Sequence, residues 1–227
     1  MKLLEVIVTT KEEAIAAEQG GADRLELIRA FRSGGLTPDI RLVEEVLQAV
    51  KIPVRVMVRE NSSYEILDES ELDTILERAE RFSKLPINGL VLGYTIDGKI
   101  DVAVVKKILD PLPDVKVTFH RAFESAVDYE ASVKVLKDFR QIDLILTNGG
   151  SGSWETRINR LERLQSLSGS IKFMVGGGVE SAALDLLVKS RLENIHVGSM
   201  VRSPETVEGM VDASKVAAVR KRLFEYN

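Results

Sequence analysis

Residues 20–27 read Gly-Gly-Ala-Asp-Arg-Leu-Glu-Leu, and the same kind of stretch returns three more times along the chain. The returns are INGLVLG at 87–93, IDLILT at 142–147 and ENIHVG at 193–198. In each, small or polar residues follow a helix-patterned segment and lead into a short apolar run that stops at Gly, Thr or a charge. Such a unit is typical of a helix feeding a buried parallel strand, and its repetition predicts a (β/α)₈ barrel, or TIM barrel.

Eight apolar runs alternate with eight helix-patterned stretches along the chain. The predicted strands cover 3–8, 24–28, 54–59, 88–93, 115–120, 142–147, 171–175 and 194–198. Helical spacing is found, among other places, at 12–19, 39–50, 70–83, 101–109, 129–139, 155–167 and 182–189. An open, doubly wound α/β sheet would use the same units. Residues 8–11, however, lack the glycine fingerprint of a dinucleotide site, and eight strands consume the chain, so we predict one barrel domain over 1–227.

The composition narrows the function classes. The 227 residues include 31 Lys and Arg against 35 Asp and Glu, a net charge of -4, with no basic arm or low-complexity tail. Nucleic acid and membrane surfaces are therefore not expected as partners. With no signal-peptide pattern and no apolar span of about 20 residues, the sequence predicts a cytoplasmic protein. It has no cysteine, which excludes disulfides, thiolate nucleophiles and thiolate metal ligands.

Charged residues lie in or just after the predicted strands, and a (β/α)₈ barrel carries its chemistry at the carboxyl ends of its strands. They are Glu5, Arg24, Glu26, Arg59, His120 and Arg121. A charge inside an apolar strand is costly unless it is paired or meets a ligand. We therefore expect the four charged residues of the first three strands to share one interior network; these are Glu5, Arg24, Glu26 and Arg59. For Glu5 and Arg24 a structural ion-pair plug is as good an interpretation as a ligand site. For the others, the strand-end positions favour a ligand site.

If these residues form a ligand site, general acid–base chemistry is open to them. Glu26 or Glu5 would act as the base and His120 as the acid, while Arg59 and Arg121 grip a carboxylate or phosphate in two-point contacts. The alternative for His120 is a core histidine that is hydrogen-bonded to a neighbouring strand end.

Glycines follow the last two predicted strands. Gly176, Gly177 and Gly178 come after strand 7, and Gly198 and Ser199 come after strand 8. Barrels that bind phosphorylated ligands often hold the phosphate at these two loops, where glycines let backbone N–H groups approach the anion, so the pair predicts an anion subsite. Glycines also suit an ordinary tight turn. The stretch NGGSGS at 148–153 is a flexible loop that is either a lid or a linker.

Four motifs together resemble those of the CutC copper homeostasis family. They are GGADRLEL at 20–27, GGLTP at 34–38, VTFHRAF at 117–123 and GGGV at 176–179. The resemblance covers nearly the whole chain. It implies a (β/α)₈ barrel, a cytoplasmic location, a homodimer or higher homo-oligomer, and a part in copper handling or tolerance, with no defined reaction. By motif, the family's charged cluster falls on the six charged residues named above.

The chain departs from the family's pattern in three places. Ile28 stands where many members have Cys, so copper binding by that thiol cannot operate here. The loop ENSSY at 60–64 lacks the usual basic and Gly-Gly-Asp-Phe character, and HVGS at 196–199 replaces an Ala-Ser-Ala type of run. Cu(I) prefers sulfur, and of the five methionines Met57 and Met174 fall on predicted strands, where methionine is typically core.

Two functions stay open. One is a copper-handling protein that binds or buffers the metal without turnover, with a Cu(II) site from His120, His196 and carboxylates as the conceivable form of binding. The other is a barrel enzyme that acts on a small anionic or phosphorylated metabolite by acid–base chemistry, with any copper effect indirect. The missing cysteines favour the enzyme, whereas the family resemblance favours the copper protein.

Overall fold

The computed structural model describes residues 2–224, in which eight parallel strands close into a barrel. The strands are β1 (Leu3–Val8), β2 (Arg24–Leu27), β3 (Val54–Met57), β4 (Gly89–Leu92), β5 (Val117–Phe119), β6 (Ile142–Thr147), β7 (Lys172–Val175) and β8 (Asn194–Val197). They follow one another round the barrel in chain order, and β1 pairs with both β2 and β8. The predicted barrel is confirmed, and the open-sheet alternative is excluded by the pairing of β1 with β8. Residues 1 and 225–227 of the predicted domain lie outside the described residues.

Eight helices surround the barrel in the described part of the chain. They are α1 (Lys11–Gln19), α2 (Ile40–Ala49), α3 (Glu69–Ser83), α4 (Val102–Leu109), α5 (Tyr129–Leu136), α6 (Trp154–Leu167), α7 (Ser181–Lys189) and α8 (Ala213–Phe224). Six of them begin at a Ser, Thr or Asp whose side chain accepts a hydrogen bond from the first helical turn. These caps fix the helix starts within a residue of the predicted ones. No helix of residues 2–224 has the length and apolar character that a bilayer crossing needs.

Apolar side chains pack both outside and inside the barrel, and the barrel interior also contains a layer of charged side chains. The larger apolar region lies between the strands and the helices. Inside the barrel, Ile28, Met57 and Val91 form one small apolar cluster, and a second contains Leu144, Leu146 and Met174. The buried charged and polar side chains of the interior are Glu5, Arg24, Glu26, Arg55, Thr118 and His196. Because side chains alternate along a strand, residues spaced by two on β1, β2 and β3 project together into this layer.

A buried ion pair fastens the seam where the first and last strands meet. Arg202 donates hydrogen bonds of 2.5 and 2.9 Å to the carboxylate of Glu13 on α1, and both side chains are almost fully buried. Glu13 also accepts the N–H of Thr9, while Arg202 donates to the carbonyl of Gly209 and lies over the ring of Phe31. The loops after β1, β2 and β8 are thereby tied together at one edge of the barrel mouth.

We expect Arg202→Met to lower the free energy of unfolding by about 3–5 kcal/mol, because Glu13 would then be a buried carboxylate without its cation. Urea denaturation followed by circular dichroism measures the loss. The control is Lys106→Met, which removes an exposed ion pair to Asp110 and should cost less than about 1 kcal/mol. Equal losses in the two variants would show that the seam pair adds no more than a surface pair.

Candidate functional site

A cavity of about 220 Å³ opens at the carboxyl ends of the strands. It brings together five of the predicted polar and charged residues and an apolar wall. Its polar side chains are Glu26, Arg59, His120, Arg121 and His196, and its apolar wall includes Ile7, Ile28, Phe31 and Met57. Gly177, Gly178, Gly198 and Ser199 also line the cavity. Convergence of charged side chains, glycines and an apolar wall at this end is the arrangement of a small-ligand site.

Glu5 lies beneath this cavity between two partners on the neighbouring strands. The β-sheet register pairs it directly with Arg24 of β2 and with His196 of β8. Arg24 donates its Nε–H to one carboxylate oxygen, and His196 Nδ1 lies 2.8 Å from the other. Burial works to raise the pKa of Glu5, but the Arg24 charge and the His196 hydrogen bond outweigh it and hold that pKa at about 2. Glu5 is therefore ionised at neutral pH.

The ionised Glu5 fixes how His196 presents its ring. Since a carboxylate only accepts hydrogen bonds, Nδ1 of His196 carries the proton in this contact. The other nitrogen, Nε2, has no hydrogen-bond partner among residues 2–224, and the ring lines the cavity. A carboxylate that holds one imidazole nitrogen while the other faces a ligand cavity is the orientation that general-base histidines use.

Glu26 is the second titratable group at the cavity floor. Its Oε2 atom is buried without a hydrogen bond and lies 3.3 Å from Nδ1 of His196. Burial, reinforced by the charge of Glu5, raises the pKa of Glu26 to about 7 although His196 opposes it. Burial alone would lower the pKa of His196, but the charge of Glu26 and the bond to Glu5 raise it. Glu26, with a pKa near neutrality, and His196, with a raised pKa, are neighbouring groups suited to general acid–base chemistry.

Arg55 completes the interior network, and the sequence analysis missed it. Its guanidinium donates to both carboxylate oxygens of Asp143, at 2.8 and 2.6 Å, and to the hydroxyl of Thr118 at 2.6 Å. Its charge also lowers the pKa values of Glu5 and Glu26. The signal was present: Arg55 interrupts the apolar strand VRVM just as Glu26 interrupts β2.

The prediction that Arg59 shares the interior network was wrong. β3 ends at Met57, so Arg59 lies beyond the strand and above the charged layer. Its guanidinium donates to four backbone carbonyls in the loops after β2 and β3 and stacks on the ring of Tyr64 at 4.7 Å. It lines the cavity as a buried positive charge whose hydrogen-bond donors are largely used by the protein itself.

His120 caps the short 3₁₀ turn Arg121–Ser125 and faces the cavity. Its Nδ1 accepts the N–H of Ala122 at 3.2 Å, whereas Nε2 is buried with no hydrogen-bond partner in the described chain. Burial, followed by the charge of Arg59, lowers the pKa of His120 to about 3. The predicted role of His120 as the acid does not fit that pKa, because the ring is uncharged at neutral pH. It offers instead a neutral Nε2–H.

Arg121 is held at the rim of the cavity. Its Nε and Nη2 atoms donate to the carboxylate of Glu124 at 2.9 and 2.7 Å, and Glu124 also accepts the N–H of Asn148. A methyl group added at Gly177 would come within 2.7 Å of Arg121 Nε. The guanidinium therefore lies directly beside the first glycines after β7.

The loops after β7 and β8 converge on the cavity, as their neighbouring strands require. Gly177 and Gly178 have φ angles of +89° and +85°, which favour glycine, and they line the cavity together with Gly198 and Ser199. The N–H groups of Gly177, Gly178 and Ser199 donate to no acceptor in residues 2–224. The prediction for Gly176 was wrong, because its N–H donates to the carbonyl of Thr147 at 3.1 Å and so continues the barrel hydrogen bonding.

The loop at 148–153 stays outside the cavity lining. Gly149 donates its N–H to the hydroxyl of Thr147, Gly150 donates to the side chain of Asn148, and the guanidinium of Arg160 binds two carbonyls of the loop. The loop is thus held mainly by α6 and by its own turns. Of the two predicted roles, a connecting loop fits these contacts better than a lid.

The residues able to hold a metal differ from those predicted. Glu5, Glu26 and His196 offer ligand atoms that all lie within 4.8 Å of one another, and His120 is not among them. One nitrogen and two carboxylates do not fit Cu(I), which prefers sulfur, although they suit a borderline ion such as Cu(II). Binding through Nδ1 would cost the Glu5–His196 hydrogen bond and would place the ion near Arg24. The arrangement fits proton transfer better than it fits copper.

Comparison with known proteins assigns the chain to a family. The model of the CutC family matches residues 2–201. This chain belongs to the CutC family. Among CutC relatives, a family protein CutC from Enterobacter sp. (strain 638) is 33% identical over 207 residues, which are 90% of this chain and 83% of that protein. The Copper homeostasis protein cutC homolog of Homo sapiens is 34% identical over 190 residues, 82% of this chain and 69% of that protein.

Solved structures agree with the CutC assignment. A putative copper homeostasis protein CutC from Streptococcus agalactiae superposes with a TM-score of 0.79 at 25% identity, covering 87% of this chain and 98% of that one. A thiamine phosphate pyrophosphorylase from Pyrococcus furiosus gives a TM-score of 0.61 at 15% identity and shows the barrel fold alone. The family resemblance predicted from four motifs is therefore confirmed for this CutC chain.

Glu26 gives the stability of this CutC protein a pH dependence. Its pKa is about 7 when folded against an ordinary value near 4.5, so the folded state keeps a proton that the unfolded chain loses between those values. This stability is full below about pH 4.5 and declines as pH rises through 7, by about 3 kcal/mol. The raised pKa of His196 acts in the same direction, whereas the lowered pKa of Glu5 matters only below pH 4.5.

We therefore expect Glu26→Gln to flatten the decline in stability between about pH 5 and pH 8. Urea denaturation at several pH values measures it in both proteins. The control is Glu12→Gln, an exposed acid on α1 that should keep the wild-type profile. Parallel profiles for wild type and Glu26→Gln would contradict a raised pKa at Glu26.

Proposed function

We propose that this CutC family member is an enzyme that transfers a proton on a small anionic metabolite bound at the barrel mouth. The observation that carries the proposal is the array of Glu5, His196 and Glu26 under the cavity. In this array two carboxylates with opposite pKa shifts surround one imidazole. A purely structural ion-pair plug would not require these groups to border a cavity.

The roles follow from the contacts. Glu5 stays ionised and holds His196 in one tautomer and one orientation. Glu26, with a pKa near 7, is present in both protonation states at neutral pH and accepts or returns a proton. His196, whose pKa is raised, is the second group on the same wall able to exchange a proton, through Nε2. Arg24 and Arg55 keep this pair of carboxylates stable inside the barrel.

The ligand carries a negative charge at its other end. The free N–H groups of Gly177, Gly178 and Ser199 line the same cavity as the guanidinium of Arg121, which lies beside Gly177. Backbone N–H groups of this kind, together with an arginine, suit a phosphate or a carboxylate. A cavity of about 220 Å³ admits a small metabolite rather than a polymer.

The names of the relatives connect those proteins with copper homeostasis. We propose that this chain contributes to the same process through the reaction in its cavity. A second candidate function is direct binding of Cu(II) by Glu5, Glu26 and His196, which is favoured by the approach of their ligand atoms within 4.8 Å. The cytoplasmic location and the homo-oligomeric assembly implied by the family resemblance stay predictions.

We expect inorganic phosphate to shift the amide NMR resonances of Gly177, Gly178 and Ser199 and to bind with a dissociation constant of about a millimolar or less. Gly177→Ala should weaken binding about tenfold, because its methyl group would displace the Arg121 guanidinium. The control is Gly21→Ala at the opposite end of the barrel, where φ is +88° and no contact is closer than 3.6 Å. Absent shifts in wild type, or equal weakening in both variants, would refute the anion site.

The missing thiols predict that the protein holds no stoichiometric Cu(I) in competition with a Cu(I) chelator such as bicinchoninate. The chelator absorbance reports the distribution of the metal. A parallel titration with Cu(II) tests the second candidate. Stoichiometric Cu(II) binding that Glu26→Gln abolishes, and that the surface variant Glu44→Gln keeps, would favour a copper protein over the enzyme.

A further inference from the structure

One polar group at the cavity is left unused by the proposed function. The ring of His120 lines the cavity, is 3% exposed, and has an Nε2 atom with no hydrogen-bond partner in residues 2–224. A buried polar atom without a partner destabilises the fold, so proteins rarely keep one without a use. At a ligand cavity, the missing partner is expected to come from the ligand.

The chemistry of that partner is set by the other edge of the ring. Nδ1 accepts the N–H of Ala122, so the proton of the neutral ring is on Nε2 and the group is a donor. Arg59 and Arg121 both act against a positive charge on His120. The ligand atom opposite Nε2 is therefore an acceptor, and the surrounding positive charge favours one that is or becomes negative.

We propose that the substrate is a carbonyl compound that bears an acidic C–H next to the carbonyl, and that His120 donates its Nε2–H to the carbonyl oxygen as that oxygen becomes an enolate. This inference rests on the proposed function, since the base that removes the proton is Glu26 or His196. It adds the reacting group of the substrate and a catalytic role for His120.

The charges of the cavity favour a base at its floor and a hydrogen-bond donor at His120. Glu26 is the floor carboxylate that lines the cavity, so a carboxylate of the ligand placed beside it would be repelled, whereas a neutral carbonyl is accepted. When Glu26 takes the proton, the negative charge leaves the floor and develops on the carbonyl oxygen, near His120 and Arg59. The cavity thus gains no net charge during the step.

The step balances without a further reactant. The C–H bond breaks and its proton goes to the base, its electron pair forms a C=C bond, and the π electrons of the C=O bond move to the oxygen. Return of a proton to the same carbon completes an epimerisation. Return of a proton to the former carbonyl carbon, with transfer of the α-hydroxyl proton to the enolate oxygen, completes an isomerisation, and neither needs an oxidant or a reductant. With the anion held at the rim, the substrate class is a short phosphorylated α-hydroxy aldehyde or ketone.

The probes are inorganic phosphate and phosphoglycolohydroxamate, whose hydroxamate mimics an enediolate and whose phosphate matches the first probe. Isothermal titration calorimetry gives both dissociation constants, and their ratio is the readout. Wild type should bind the hydroxamate about 100-fold more tightly than inorganic phosphate, because only the hydroxamate presents an oxyanion-like oxygen to Nε2–H.

Two variants separate the two edges of the His120 ring. His120→Asn keeps a side-chain acceptor for the N–H of Ala122, as capping residues do, but its amide nitrogen ends short of the position of Nε2. His120→Gln places an amide N–H close to that position. The preference for the hydroxamate should fall from about 100-fold to about 1-fold in His120→Asn and recover in part in His120→Gln. Circular dichroism checks that each variant is folded.

The outcomes are distinguishable. If wild type binds phosphate at the rim but prefers the hydroxamate no more than His120→Asn does, the role of His120 is overturned while the proposed function stands. If neither probe binds, the proposed function fails and takes this inference with it. A preference lost in His120→Asn and partly restored in His120→Gln supports the enolate role.

Discussion

The ionised carboxylate of Glu5 is the constraint on which the site depends. It sits in register between Arg24 on β2 and His196 on β8, so a single side chain links the two strands that flank the barrel's first strand. Without Arg24 the carboxylate would be a buried unpaired charge, and without the carboxylate His196 would lose its tautomer. Burial raises the pKa of Glu26, and the ionised Glu5 beside it raises that pKa further.

Charge is distributed by depth in this barrel. Arg55 and Asp143 occupy the end where the strands begin, the cluster around Glu5 fills the middle, and Arg59 and Arg121 stand at the mouth. The carboxylates proposed to handle a proton therefore lie deep, beside Arg24 and Arg55, whereas Arg121, which suits an anion, lies at the rim. A ligand with a negative end and a neutral reacting end has only one favourable orientation in such a field.

Much of this was predictable from local rules. The alternation of side chains on β2 put Arg24 and Glu26 in the interior, and Gly177, Gly178 and Gly198 lie at the mouth where the strand ends put them, whereas Gly176 does not. The alternation of side chains could not place Arg59, because β3 ends before it. The backbone N–H and carbonyl of Arg59 form hydrogen bonds with Thr37, 22 residues earlier in the chain, instead of with a neighbouring strand. Glu5 contacts His196 because β1 pairs with β8 when the barrel closes. The register of that pairing cannot be read from the sequences of the individual strands.

The large sequence separation between Glu5 and His196 has a consequence for folding. Glu5 and His196 are 191 positions apart, so they meet only when the last barrel strand docks on the first. A partly made or partly folded chain has the glycine loops and the arginines in outline but no oriented imidazole. The proton transfer proposed for this site therefore requires the closed barrel, because an open one has neither the oriented His196 ring nor the loops after β7 and β8 in one place.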